Sequence, residues 1–269
     1  MLRSLYSGIS GMKGFQTKLD VIGNNISNVN TAGFKSGRVM FKDVMSQTLQ
    51  GAGAGNDNYG GVNAKQIGLG STISAIDTVM TDGSTQTTGR PLDFAIQGNG
   101  FFTVENGGGE RYYTRQGNFY FDANGFLVNS DGWFVLGADE GQIQIDDMSA
   151  VQSFSFDTKG ILTVVTADGE EQLGPIGLTK FANPSGLEKV GGSLFKTSPN
   201  ANPGDPEIGE PGDPDLGIGM LMVGAVEMSN VDLTNEFAEM IVAQRGFQAN
   251  SRTITTSDEI LQEVVNLKR

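Results

Sequence analysis

The chain contains no cysteine and no histidine. Disulfides, thiolate nucleophiles, imidazole general bases and the commonest zinc ligands are thereby excluded together. Carboxylate acid–base chemistry, or a metal held by carboxylates and carbonyls alone, stays open in principle. The acid pairs, however, are Asp146-Asp147 and Asp258-Glu259, which adjoin in sequence and have nothing to set them across a cleft. Asp122-Ala123-Asn124-Gly125 lacks the further ligands and closing glutamate of a calcium loop. Gly98-Asn99-Gly100 is not followed by the helix a phosphate loop needs. The expectation is a non-enzyme with no catalytic, cofactor-binding or metal residues and no cofactor.

Positive charge is also scarce: 18 Lys and Arg stand against 31 Asp and Glu, a net charge of −13. Nucleic acid is therefore not an expected partner, because neutralising phosphates needs clustered bases. No stretch reaches the roughly 20 apolar residues of a membrane span, so no membrane insertion is expected. Ser4, Ser7, Ser10, Lys13 and Gln16 interrupt the N-terminal run where a secretory signal would be continuous. These absences taken alone fit a cytoplasmic protein. The richness in Gly and Asn fits an exported assembly protein better.

What is present is one pattern written at both ends. Leu5, Met12, Leu19 and Ile26 recur every seven residues at the start, and Met240, Phe247, Ile254 and Leu261 do so at the end. A seven-residue apolar repeat makes a narrow stripe that another helix must cover. Helices are predicted over 2–29 and from Asn230 or Asp232 to about Leu267. Gly8, Gly11, Gly14 and Gly23 each cost the first about 1 kcal/mol against alanine, so its stability must come from packing. Gly33 is placed to end this segment in a left-handed conformation, with Phe34 packing back over the last turn. Residues 1–45 are net positive and 226–269 net negative, a bias toward pairing of the two ends. At the second helix, Glu236 and Glu239 near the start and Lys268 and Arg269 at the end suit the helix dipole.

Between the ends lie short alternating runs such as 92–96, 101–104, 118–121, 133–136, 142–145 and 161–165. Asn99-Gly100, Asn124-Gly125, Asp131-Gly132, Lys159-Gly160 and Asp168-Gly169 separate them with hairpin-turn chemistry. Residues 34–50 are left between a short helix and an extended arm. The stretch 51–61, GAGAGNDNYGG, reads as a flexible loop or hinge. Residues 198–217 hold five of the eight prolines and five acids with no base, which predicts an exposed loop that resists packing. The fold class is α+β. A coiled-coil-like helical domain is built from 1–45 and 226–269, with a linker or arm at 46–70 and an antiparallel all-β domain at 71–225.

Candidate contact residues follow from the stripes and the amides beside them. Asn24, Asn25, Asn28 and Asn30 crowd the end of the first helix. Uncharged amides beside an apolar seam can bond neighbouring chains and fix register, although asparagines also gather where helices fray. Gln244, Arg245 and Asn250 give the last helix a similar polar face, although an ordinary solvated face explains them almost as well. Together with Phe34 and the two stripes, these are the expected self-assembly residues.

LDVIGNNISNVNTAGFKSGRVMF at 19–41 and MSNVDLTNEFAEMIVAQRGFQANSRTITTSDEILQEVVNL at 228–267 closely resemble the bacterial flagellar hook and rod protein family. YTRQGNFYFDANGFLVNSDGWFVLG at 113–137 is similar to that family's β domain, and LEKVGGSLFKTS at 187–198 to its end. The resemblance implies an inner helical domain from both termini lining a hollow tube, with the β domain outside. It also implies export through the flagellar type III apparatus and helical self-polymerisation outside the cytoplasmic membrane. Implied neighbours are rod proteins, hook–filament junction proteins and the hook cap. The N-terminal 25 residues and the ending look most like the compact hook proteins of Gram-positive bacilli, so the hook is the expected location and the distal rod the alternative.

Overall fold

The computed structural model describes residues 2–55, 60–146, 148, 150–166 and 169–267. It contains two long helices and antiparallel strands, an α+β fold as expected. The chain divides into two compact units: Met1–Ser27 with Gly37–Thr78 and Asp232–Arg269, and Asn28–Ser36 with Val79–Val231.

The first unit is built on α1 (Leu2–Ser27) and α2 (Leu233–Leu267). They run antiparallel: Ser4 faces Ser257, Lys18 pairs with Glu239 and Asn25 with Glu236. The N-cap of α2 is Asp232, whose Oδ1 accepts the Thr234 N–H at 2.9 Å. Asn230 belongs to the other unit, where it accepts from Ser36 N–H and donates to the Val79 carbonyl. The poor helix formers Thr253 and Thr255 turn their hydroxyls to the carbonyls of Ala249 and Arg252. Lys268 and Arg269 lie outside the described residues.

Residues 34–50 resolve in favour of the extended reading. Gly37–Asp43 pairs antiparallel with Ser71–Thr78, and Ser46–Gln50 with Lys65–Gly68. A register shift between Met40 and Phe41 interrupts the first pair. Phe41 lies over Gly14 of α1, its ring 6.0 Å from that of Phe15. The loop at 51–61 is drawn together by Gly53 and Val62, which exchange backbone hydrogen bonds; its residues 56–59 lie outside the described residues.

The second unit holds the large apolar core. Its main sheet is antiparallel, with Phe101–Glu105 at the centre between Arg111–Thr114 and Phe134–Val135 and also paired to Leu178–Thr179. Phe102, Val104, Leu127 and Leu178 of this sheet form one buried cluster with Phe94, Phe119 and Leu162. Phe102 and Phe119 meet edge to face at 5.1 Å, the arrangement the ring quadrupole favours. A second cluster gathers Phe101, Tyr113, Phe181 and Phe195. Val151–Phe156, Leu162–Thr166 and Glu170–Leu173 form a three-stranded sheet.

Asn124-Gly125, Asp131-Gly132 and Lys159-Gly160 turn the chain between successive paired strands, as their chemistry predicted. Asp168 of the last such pair lies outside the described residues. Asn99-Gly100 departs from the expectation. Phe94–Gln97 before it pairs with Met220–Val223, whereas Phe101–Glu105 after it joins the main sheet, so this pair passes the chain between sheets.

Residues 198–217 also differ from the solvated loop expected. Ile208–Gly209 pairs with Leu178–Thr179, and Ala201, Pro206 and Pro211 are buried. Proline rings need no hydrogen-bond partner for their nitrogen and can therefore sit against apolar surface. Gly33 is likewise no helix cap, since α1 ends six residues earlier at Ser27. Its φ of +69° brings it against the 115–116 backbone, where a Cβ would stand 2.6 Å from the Gln116 nitrogen.

Candidate assembly surface and buried charge cluster

Leu5, Met12, Leu19, Ile26, Met240, Phe247, Ile254 and Leu261 are all half-buried on helices that pack together within the chain. Ile22 and Ala243 are buried in this packing. The helix glycines explain how the backbones come close. A Cβ on Gly11 would lie 2.7 Å from Asn250 Nδ2, and one on Gly246 would lie 2.6–2.9 Å from three atoms of the Phe15 ring. The glycines that weaken the helix alone thus admit its partner. Gly23, by contrast, has nothing within 4 Å of a Cβ. Gly23→Ala is therefore expected to stabilise the helical unit by about 1 kcal/mol, and Gly246→Leu to cost it about 1–3 kcal/mol by overpacking. Urea unfolding followed by helical circular dichroism checks both signs.

Asn25 is only 2% exposed. Its Nδ2 donates to the Gly37 carbonyl at 2.9 Å and to Glu236 Oε1 at 3.0 Å, while its Oδ1 accepts the Gly37 N–H at 2.9 Å. The amide thereby bonds both polar groups of one residue and joins α1, the strand Gly37–Asp43 and α2. The sequence marked Asn25 for contacts to neighbouring chains; all these bonds lie within the chain. Burial raises the Glu236 carboxyl above its ordinary value, and the bond from Asn25 opposes that rise.

Asn24, Gln244 and Arg245 are exposed, and Asn250 lies against Gly11. Asn28, Asn30 and Phe34 fall in the second unit, separate from the other candidates. Asn28 accepts the Thr31 hydroxyl and N–H in a local turn, Asn30 is exposed, and Phe34 carries the Lys189 ammonium over its ring at 4.9 Å.

The helical unit exposes large apolar side chains. Phe237 is 50% and Ile241 59% exposed, and Val242, Ile260, Val264 and Leu267 are exposed too. At 3.6 residues per turn, Leu233, Phe237 and Ile241 lie along one flank of the α2 face that meets α1. Val242, Ile260, Val264 and Leu267 lie along the opposite flank. Tyr6 and Ile9 are exposed on α1, Met40 and Leu49 on the strands, and Met45 between them. Contiguous exposed apolar side chains of this kind are what interaction surfaces in general carry.

The sequence reading missed a cluster of buried charges in the second unit. Lys35 and Glu227 each have 1% of their side chain exposed and meet at 2.6 Å. Glu227 also accepts the Gly83 N–H at 2.9 Å and Arg115 Nη1 at 3.1 Å. Lys35 further donates to the Thr81 carbonyl, and Arg115 Nη2 to that of Gly98. Burial lowers the Lys35 ammonium below the usual lysine value, with Glu227 pulling it back up. The only signal available in advance was a lone charge in each terminal motif, TAGFKS and AVEMSN. Nothing in a linear sequence pairs residues 192 positions apart.

Two long terminal helices packed within one unit, apolar side chains exposed along α2, and a separate β-rich unit define an axial structural subunit. Family models bear this out in three stretches. The flagella basal body rod protein model matches residues 5–35, the flagellar hook protein FlgE/F/G D1 domain matches 95–164, and the flagellar basal body rod FlgEFG protein C-terminal model matches 222–267. Over 270 residues the chain is 57% identical to the flagellar basal-body rod protein FlgG of Bacillus subtilis, with all of both chains covered. It is 39% identical over 272 residues to FlgG of Borreliella burgdorferi and 29% identical over 446 to the flagellar hook protein FlgE of the same organism, again covering each chain fully. The chain belongs to the flagellar hook and rod protein family, whose members are structural components of the flagellar hook and basal body outside the cytoplasm.

Proposed function

We propose that this chain is a subunit of the flagellar rod in its distal part, polymerising helically through its helical unit. The full-length match at 57% identity to a rod protein carries the reading. Chain length supports it: rod relatives align over 272 positions or so, whereas the hook alignment stretches over 446 against the 269 residues here. This reverses the order of preference that the terminal motifs suggested. The two apolar flanks of α2 support an open polymer. They face away from each other, so one neighbour cannot cover both, and contacts between unlike faces propagate instead of closing. Partners under this reading are further copies of the chain, adjacent axial proteins and the flagellar export apparatus.

The hook remains a second reading because of one observation. Identity of 29% over 446 positions amounts to more identical residues than 39% over 272, so the dilution comes from the longer alignment. Deleting the gene in its host and imaging the basal bodies separates the two. A truncated rod is the expected result, and a complete rod without a hook would overturn it.

A further inference from the structure

Three Asn–Gly pairs occur in the second unit, at 99–100, 106–107 and 124–125. Such pairs carry a latent reaction, because glycine leaves its own nitrogen unshielded and its backbone free to turn. The following nitrogen can then reach the asparagine Cγ, provided neither group is held elsewhere.

The structure restrains two of the three, 124–125 by hydrogen bonds to the reacting groups and 99–100 by burial of the glycine. At 124–125 the Gly125 N–H donates to the Asp122 carbonyl at 2.9 Å, the Asn124 amide donates to Asp122 Oδ2 and the Asn124 carbonyl accepts Gln144. A Cβ on Gly125 would stand 2.1 Å from the Ile145 oxygen, so this backbone is enclosed as well as bonded. At 99–100 the Asn99 carbonyl accepts Gly219 N–H at 2.7 Å, and Gly100 is buried beside Ile218, Ile96 and Leu178.

The third pair sits at the tip of the hairpin joining Phe101–Glu105 to Arg111–Thr114. Asn106 N–H donates to the Glu110 carbonyl and its own carbonyl accepts Gly109 N–H, which closes the turn around 107 and 108. Gly107 is exposed, with nothing within 4 Å of a Cβ. Among the described residues neither the Asn106 side-chain amide nor the Gly107 N–H has a hydrogen-bond partner.

We propose that Asn106 is a site of spontaneous deamidation in the folded protein, while Asn99 and Asn124 are protected. Gly107 nitrogen loses its proton and attacks Asn106 Cγ. A new C–N bond forms, the bond from Cγ to the side-chain nitrogen breaks, and that nitrogen leaves as ammonia. Water then opens the cyclic imide at either carbonyl, giving aspartate or isoaspartate. No oxidant, metal or enzyme is required. Each event adds one negative charge between Glu105 and Glu110, and the isoaspartyl product lengthens the backbone of the turn by one carbon.

The test is to age the purified full-length protein in mildly alkaline buffer and follow the three Asn–Gly peptides by mass spectrometry, with a urea-unfolded sample in parallel. In the folded sample the Asn106 peptide should convert severalfold faster than the other two, with isoaspartate among its products. In urea the three should convert at similar rates. Conversion of Asn99 or Asn124 as fast as Asn106 in the folded protein would overturn the proposal, as would an Asn106 that stays intact there but converts in urea. Gly107→Ala, which meets no neighbour and no left-handed φ, should slow the Asn106 reaction severalfold and leave the other two peptides unchanged; an unchanged rate would count against Gly107 as the attacking group.

Discussion

Glu227→Gln is expected to destabilise the β-rich unit by about 3–5 kcal/mol, because Lys35 and Arg115 would then be buried cations without their shared counter-charge. The expected loss exceeds that of any surface ion pair, such as Arg38 with Asp77, because those charges keep their water. The variant should also respond differently to pH. Burial already lowers Lys35, and Glu227 is the main influence that raises it. With Glu227 neutral, the folded-state value falls further, whereas an unfolded lysine titrates near about 10.4. Between these values the folded state binds fewer protons than the unfolded one, so stability rises with pH across that window. The variant should recover part of its deficit as the buffer moves from neutral to alkaline, more steeply than the parent. Urea unfolding followed through Trp133, the one tryptophan, half-buried against Tyr112, reads both effects. A loss below about 1 kcal/mol, the range of a solvated pair, or a flat pH response would refute this account of the cluster.

Asn25→Leu should produce the second large effect, in the helical unit. Leucine nearly matches the volume but leaves the Gly37 N–H and carbonyl without the partner they now share. A fully buried group so stranded costs about 1–3 kcal/mol, and for these two half-buried ones that range is the upper limit. Glu236 adds a pH signature, since burial raises its folded value and the bond from Asn25 opposes that shift. Removing the bond raises the value further, so the fold favours the protonated carboxyl more strongly. That contribution is present in acid and is lost as pH rises through the folded value. The deficit of the variant should therefore be smaller in mild acid than at neutral pH. Equal deficits at both would mean that Glu236 does not feel Asn25.

The helices were legible because their information is local. A seven-residue repeat places both to within a few residues, and a capping residue at 230 or 232 places the start of the second. The hairpin turns at 124–125, 131–132 and 159–160 were legible for the same reason. What stayed hidden was pairing between distant segments. Asn25 looked like an amide for neighbouring chains until Gly37 was brought beside it, and Gly11 looked like a cost until Asn250 occupied the space it leaves. The acidic, proline-rich stretch misled because its composition describes its solvent face, whereas Pro206, Pro211 and Ala201 pack inward. Lys35 and Glu227 could not be paired at all without the fold.

The order in which the chain visits its two units bears on how such a gene can change. The path enters the β-rich unit at residue 28, returns to the helical unit at 37, leaves again at 79 and comes back at 232. Neither unit is a contiguous stretch, so a recombination that exchanges one uninterrupted block cuts across at least one of them. Exchanging either unit whole would require replacing two or three separate stretches of the gene at once.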